Sequence, residues 1–211
     1  MSIRYYLIHC DEHKERLPYV INLQKNFNQE ITIFKGIYTN KVPVDRQEEY
    51  IHQYNPKLSF GTTYRFTRGG QIGCYLSHFT LIENIMKSKE TGYTVIFEDD
   101  VVIHKNLHHE IEKIIQHNID FDILFLGNHQ NNKGQHIVDN IYHMDKNNLC
   151  YGTHALLINN KNIEKIYNVN CKIKITIDDH YRESNTVGDL TCLVVNPMLC
   201  IHANLQSNIW V

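Results

Sequence analysis

The stretch that most constrains this chain runs from Thr91 to His104, TGYTVIFEDDVVIH, where a short apolar run ends abruptly in three consecutive carboxylates. Tyr93 to Phe97 is rich in aromatic and β-branched residues, the composition of a strand buried on both faces of an open α/β sheet. Glu98, Asp99 and Asp100 then stand at its C-terminal end. Side chains alternate along an extended chain, so Glu98 and Asp100 are expected to point one way and Asp99 the other. Two carboxylates facing one cleft repel, and one pKa rises unless a cation compensates them. A divalent ion with hard oxygen ligands, Mg²⁺ or Mn²⁺, fits that role and can also hold substrate phosphates. Acidic residues after a strand are more often turn formers or helix N-caps, so the tripeptide alone does not decide.

The rest of the chain sets the context. Its 211 residues, 42% hydrophobic and 21% charged, suffice for one substantial core, and one α/β domain spanning 1–211 is the economical expectation. A net charge of −2 gives no general attraction to nucleic acid or to an anionic membrane, so nucleic acid is not an expected partner. No apolar stretch approaches the span of a bilayer, and the opening MSIRYYLIHC is too short an apolar run for a signal peptide. The expected setting is cytoplasmic, with peripheral membrane contact left open. Six cysteines without a Cys-x-x-Cys pair read as reduced thiols rather than a disulfide framework or a zinc site. Most of the fourteen histidines, such as His104, His108, His109 and His117, lie in polar stretches whose default reading is a solvated face.

In chain order, Ile3 to His9 reads as a strand, followed by a helix with Leu17, Val20, Ile21, Gln24 and Phe27 on its inner face, and by a second strand, Ile31 to Lys35. Such a β-α-β opening implies a parallel pair, and ligands of parallel sheets collect outside the carboxyl ends of the strands. Ile8 to Asp11, Gly36 and Glu98 to Asp100 are thus expected on one rim. Residues 37–68 have poor periodicity and read as a binding loop or lid, with Tyr54, Phe60, Tyr64 and Phe66 either over a substrate or in plain packing. Gly69-Gly70-Gln71-Ile72-Gly73 is expected to lead into a helix from Cys74 to Lys89, with Ser77 and His78 in its first turns. The glycines allow either an anion or a neighbouring strand to approach closely, but there is no Lys-Ser/Thr of a P-loop. Further on, a helix from Asn106 to Asn118, a strand from Phe121 to Leu126, and a hairpin or loop over 129–148 with Gly134 at a turn are expected. A strand from Ala155 to Ile158 and a helix from Lys161 to Tyr167 capped by Asn159 follow. Ile173 to Ile177 reads as a strand ending in a second acidic pair, Asp178-Asp179, and Leu190 to Val195 as a last strand. The tail from Cys200 to Ile209 has no helical pattern and is read as folding back over the cleft.

Several of these words, in this order, resemble glycosyltransferase family 25, which includes bacterial lipooligosaccharide galactosyltransferases and collagen hydroxylysine glycosyltransferases. Gly70-Gln71-Ile72-Gly73-Cys74-Tyr75-Leu76-Ser77-His78 is similar to that family's G-E-I-G-C-x-L-S-H. Val95 to Val101 resembles its apolar strand with E-D-D-V, and Leu126-Gly127, Tyr151-Gly152-Thr153-His154-Ala155 and Ile177-Asp178-Asp179 resemble its L-G, Y-G-T-H-A and V-D-D segments. Two departures stand out. The family's I-N-L-D-R-R-x-x-R is reduced here to Ile8, Asp11 and Arg16, and Gln71 replaces the usual Glu.

The resemblance implies a GT-A fold, Rossmann-like with a mostly parallel central sheet flanked by helices, and Mn²⁺- or Mg²⁺-dependent transfer of a hexose from UDP-galactose or UDP-glucose. Asp100 is then the metal ligand, Glu98 a donor or metal contact, Asp99 a further donor contact, and His202 a further metal ligand. Ile8, Asp11, Arg16 and Gly36 would approach the nucleotide, Ser77 and His78 the donor, and Thr153 and His154 the donor sugar or the acceptor. If transfer inverts the anomeric centre, Asp178 or Asp179 is the base that deprotonates the acceptor hydroxyl. The implied acceptor is a glycolipid sugar, as in lipopolysaccharide biosynthesis, or hydroxylysine or galactosyl-hydroxylysine in collagen glycosylation. Two other classes compete: a non-catalytic nucleotide-sugar or glycan-binding module, and a two-metal phosphatase or nuclease, against which the lack of an Asp-x-Asp-x-Thr motif and of basic clustering counts.

Overall fold

The computed structural model describes residues 2–60, 66–130, 133–145, 151–203 and 205. Tyr64, Cys150 and most of the tail beyond Ala203, about which the sequence raised expectations, lie outside them. An eight-stranded sheet organises the chain, in the order β2 (Ile31–Lys35), β1 (Ile3–His9), β4 (Tyr93–Glu98), β9 (Ala155–Asn159), β6 (Ile123–Gly127), β11 (Cys192–Val195), β8 (Ile141–His143), β7 (His136–Val138). β1 runs parallel to β2 and β4, and β11 parallel to β6, but β9 is antiparallel to both its neighbours, and β8 and β7 are antiparallel. The sheet is therefore mixed rather than mostly parallel. The expectation failed at β9 for a physical reason: a strand covered on both faces is a continuous apolar run whichever way it points.

The central strands divide their side chains between two cores. Ile96, Ile123, Phe125, Leu156, Ile158, Cys192 and Val194 face one, Val95, Phe97, Leu124, Leu126, Leu157, Leu193 and Val195 the other. The first core is covered by α3 (Gly69–Ser88), α5 (Ile163–Asn170) and α6 (Ile177–Val187), the second by α1 (Leu17–Asn26) and α4 (Leu107–Gln116). Period-two alternation thus feeds both layers, and each buried Leu, Ile or Phe contributes about 1.5–3 kcal/mol relative to exposure. On α1 the inner face is Val20 and Leu23 with Phe27 just beyond, while Leu17 and Ile21 are exposed, so the inward stripe is narrower than expected.

Four further expectations change. Residues 37–60 hold a helix, α2 (Gln47–Tyr54), and a short strand, β3 (Ser59–Phe60), paired with β10 (Lys172–Ile173), rather than an unstructured lid. The turn of the β7–β8 hairpin is at Asp139-Asn140, not at Gly134. The glycines 69, 70 and 73 lie inside α3 instead of preceding it: a Cβ at Gly69 would stand 2.2 Å from the Thr39 carbonyl oxygen and one at Gly73 2.3 Å from that of Ile37. Gly69 and Gly73 thus admit the close approach of residues 37–39, while Gly70 lines the cavity at the strand ends. Gln71 occupies the N3 position and accepts from the Arg68 N–H, doing the work a Glu would do in a capping box. Finally, β11 is not the last strand: β12 (Cys200–His202) pairs antiparallel with β5 (Val101–Ile103), and the Ala203 N–H donates to the Asp100 carbonyl at 2.7 Å. The tail therefore returns to the acidic end of β4. No helix among the described residues is long and apolar enough to cross a membrane.

Candidate functional site

The register that pairs β1 with β4 sets Ile8 beside Glu98, so the carboxyl ends of both strands open on one rim. A cavity of about 810 Å³ lies there, bounded by that rim, the start of α3, Tyr151 to Thr153 and the first turn of α6. Glu98, Asp99 and Asp100 all line it, because the chain turns after Glu98 and the strand alternation does not continue. The expectation that Asp99 faces away fails for that reason.

Each of the three carboxylates has a histidine partner. The Oε1 of Glu98 accepts from His78 Nε2 at 3.0 Å, from the Thr153 hydroxyl at 2.6 Å and from the Cys74 thiol at 3.9 Å. Burial alone would raise the pKa of Glu98, but the bond and charge of His78, the Thr153 hydroxyl and the charge of His154 outweigh it and bring it down to about 2. Asp99 accepts from His9 Nδ1 at 2.7 Å and from Arg16. Asp100 accepts from His202 Nε2 at 3.1 Å and pairs with Arg16 Nη1 at 2.8 Å. The Arg16 guanidinium bridges Asp99 and Asp100; burial works against its charge, and the two carboxylates more than offset that, raising its pKa. The hydrogen bond to Asp100 likewise raises the pKa of His202.

A single guanidinium set against three carboxylates leaves a formal charge of about two to be met when the histidines are neutral. Moreover, Oδ1 of Asp100 is buried without a hydrogen-bond partner among the described residues. His154 is 1% exposed, and neither ring nitrogen finds a partner among the described residues. Its ring sits 5.3 Å from that of His129 and 6.2 Å from that of His202. Burial lowers the pKa of His154. Gly152 at φ +91° makes the turn beneath it, and a Cβ there would strike the His129 ring. The unpartnered Oδ1 of Asp100, beside this excess of negative charge, is a hard oxygen donor of the kind a divalent cation takes.

Across the cavity, Asp178 and Asp179 are not at a strand end but in the first turn of α6, after Thr176 at the N-cap position. Ile173 to Ile177 alternates apolar and polar residues as a strand does, but only Ile173 lies in one, β10, and the chain enters α6 at Ile177; five residues cannot separate strand from helix entry by period. Asp178 accepts from the main-chain N–H groups of Gly152 at 3.1 Å and Asp179 at 3.0 Å, whereas Asp179 is held by Arg182 at 2.9 Å. Both line the cavity.

Eleven of the residues singled out in the sequence line this cavity: Ile8, Arg16, Ser77, His78, Glu98, Asp99, Asp100, Thr153, Asp178, Asp179 and His202. Three do not. Asp11 is exposed and paired with Lys35, Gly36 closes against the end of β1, where a Cβ would meet Cys10 Sγ at 2.6 Å, and His154 is packed behind the rim. Ser77 reaches the wall, but its hydroxyl donates to Gly73 and accepts from the Ile37 N–H, tying chain to helix. Sequence reasoning gave no role to His9, though it placed Ile8 to Asp11 on the rim, nor to Cys74 or His129. His9 and His129 were findable as residues at the C-terminal ends of β1 and β6, and Cys74 as the residue one helical turn before His78.

Comparison with known proteins follows from this geometry. The model of a family described as "Glycosyltransferase family 25 (LPS biosynthesis protein)" matches residues 2–181. Probable inactive glycosyltransferase 25 family member 3 of Bos taurus is 27% identical over 94 residues, covering 42% of this chain and 16% of that protein. Inactive glycosyltransferase 25 family member 3 of Mus musculus is 28% identical over 72 residues, 32% of this chain and 12% of that protein. The chain thus matches only a small part of the length of these curated relatives. Among solved structures, A197 from STIV is similar in fold, with a TM-score of 0.51 at 12% identity over 96% of this chain and 85% of that one.

Proposed function

Because the chain belongs to glycosyltransferase family 25, we propose that it transfers a hexose, galactose or glucose, from a UDP-sugar to an acceptor hydroxyl, within a single GT-A-like domain. The observation that carries this reading is the pairing of walls across one cavity: an acidic rim with a charge deficit on one side and two oriented carboxylates on the other. Asp100 and His202 would hold Mn²⁺ or Mg²⁺, with Glu98 at the edge of that position. Such a cation, when bound, stabilises the negative charge that builds on a departing diphosphate. Arg16 holds Asp99 and Asp100 in place and offsets part of their mutual repulsion. Thr153 and His78 fix Glu98 for contact with the donor.

On the acceptor side, Asp178 is the proposed base. Its carboxylate is aimed by two main-chain N–H groups, while Asp179 is tied to Arg182 and orients the turn. The acceptor belongs to one of two chemistries, the sugar of a glycolipid or the hydroxylysine, bare or galactosylated, of a collagen-like chain. A second reading, nucleotide-sugar binding without transfer, is favoured by the names of the relatives, which call them inactive. UDP release from a panel of UDP-sugars separates the two, measured with Mn²⁺ and with chelator and with Asp100→Asn as blank. Metal-dependent release from one UDP-hexose supports transfer; saturable binding of UDP with no release, with both acceptor classes supplied, supports the binding module.

A further inference from the structure

Glu98 stands between two different sets of donor atoms. On α3, Cys74 and His78 lie one helical turn apart on the same face, and Cys74 Sγ, a His78 ring nitrogen and a Glu98 carboxylate oxygen all fall within 4.8 Å of one another. His78 is 1% exposed and Cys74 half-buried, yet all three residues line the cavity. The donor separations are 3.0 Å from His78 Nε2 to Glu98 Oε1 and 3.9 Å from Cys74 Sγ to the same oxygen. Zinc held tetrahedrally at about 2.0–2.3 Å needs its ligands roughly 3.3–3.8 Å apart, so shifts of under about 1 Å would complete the triangle. Sulfur, nitrogen and oxygen donors with a fourth position open to a cavity are the set of an accessible zinc site, not of a magnesium or manganese one.

We propose that Cys74, His78 and Glu98 form a site for a thiophilic divalent cation such as Zn²⁺, separate from the hard-cation position at Asp100 and His202, and that filling it inhibits transfer. On binding, the sulfur–metal bond replaces the thiol S–H, whose proton leaves to solvent; the proton on His78 Nε2 passes to Nδ1 of the neutral ring, freeing Nε2 for the metal, and Glu98 exchanges its bond from His78 for the metal. Glu98 is then withdrawn from the donor. His78 Nδ1 has no partner among the described residues, so the site lacks the outer hydrogen bond that tightens zinc centres by about 10–100-fold. That makes occupancy reversible. The metal site stands independently of the proposed function, while its inhibitory consequence rests on it.

Co²⁺ is the probe, because a thiolate ligand gives it a near-ultraviolet charge-transfer absorption that oxygen and nitrogen ligands do not. In full-length protein carrying Asp100→Asn, one equivalent of Co²⁺ should raise this band, Zn²⁺ should displace it and excess Mn²⁺ should not. The band should vanish when Cys74→Ser or His78→Gln is added and persist with Cys10→Ser, the other thiol on the cavity wall, the thermal transition of each variant confirming its fold. Absence of the band, or its survival in Cys74→Ser, overturns the site whether or not the protein is a transferase. In wild-type protein with saturating Mn²⁺, Zn²⁺ should suppress UDP release, and Cys74→Ser should raise the zinc needed by about tenfold or more. A band without suppression overturns the inhibitory half of the proposal.

Discussion

The two acidic walls of the cavity use opposite means to keep carboxylates buried. At the rim of β4 the three acids are met by side chains, His78, His9, His202 and the bridging Arg16. At the start of α6 the pair is met by main-chain N–H groups and one guanidinium that binds Asp179 alone. The first arrangement concentrates negative charge beyond what its fixed cation neutralises, which suits a site that takes up further positive charge. The second aims single carboxylates without accumulating charge, which suits proton transfer. The proposed function uses this difference, with cation and diphosphate on one wall and acceptor on the other.

The comparison breaks first at Asp100. Asp100→Asn should lower the rate of transfer by roughly 10²–10³-fold or more, the scale on which a preorganised charge-stabilising group acts; steady-state rates close to wild type would empty the rim of its proposed role. The opposite wall is sharper still in kind: Asp178→Asn should cost about 10²–10⁴-fold in kcat with UDP affinity unchanged, and Asp179→Asn less. A larger loss in Asp179→Asn would exchange the two roles. Arg16→Met leaves Asp99 and Asp100 facing each other, and loss of one partner of a buried pair costs about 3–5 kcal/mol. Its melting temperature should rise more on adding Mn²⁺ than that of wild type, and equal rises would show that the rim does not take the metal.

The smallest effect lies on the buried face of α6, at His180. Its Nε2 donates to the Val169 carbonyl at 3.2 Å, and burial lowers its pKa to about 4. The unfolded chain, with His near 6.5, binds more protons than the folded one between those values, so stability rises with pH across the window and is lost as pH falls from about 6.5 to 4. The full loss is about 3 kcal/mol in order of magnitude. Replacing His180 with Gln should flatten the pH dependence of the melting temperature there; an unchanged slope would assign acid sensitivity elsewhere.

Much of this was legible in the sequence, and the gaps have causes. Strand positions were readable because β4, β6 and β9 are uniformly apolar and short, but the same uniformity concealed that β9 runs backwards. The rule that ligands gather at strand ends located Ile8, Glu98, Asp99 and Asp100 correctly. It could not separate Asp11, two residues past the end of β1 and tied to Lys35 at the surface, from Arg16, which folds back under Asp99. Arg16 supplies part of the positive charge for which a divalent metal was the expected source. Asp178 and Asp179 were found as a pair but placed on the wrong element, since their orientation depends on Gly152, which is distant in sequence. His202 was named from the resemblance and not from its own surroundings in sequence; its place beside Asp100 is fixed by the β5–β12 pairing, a contact between residues about a hundred positions apart.

The most direct test of the central claim is calorimetric titration of UDP into wild-type protein, Asp100→Asn and Asp178→Asn, each with Mn²⁺ and with chelator. The account predicts that wild type and Asp178→Asn bind UDP equally and lose at least about tenfold in affinity on chelation, while Asp100→Asn binds weakly under both conditions. UDP binding that is indifferent to metal and to Asp100 would contradict it, leaving the acidic rim a buried structural network and the nucleotide held elsewhere.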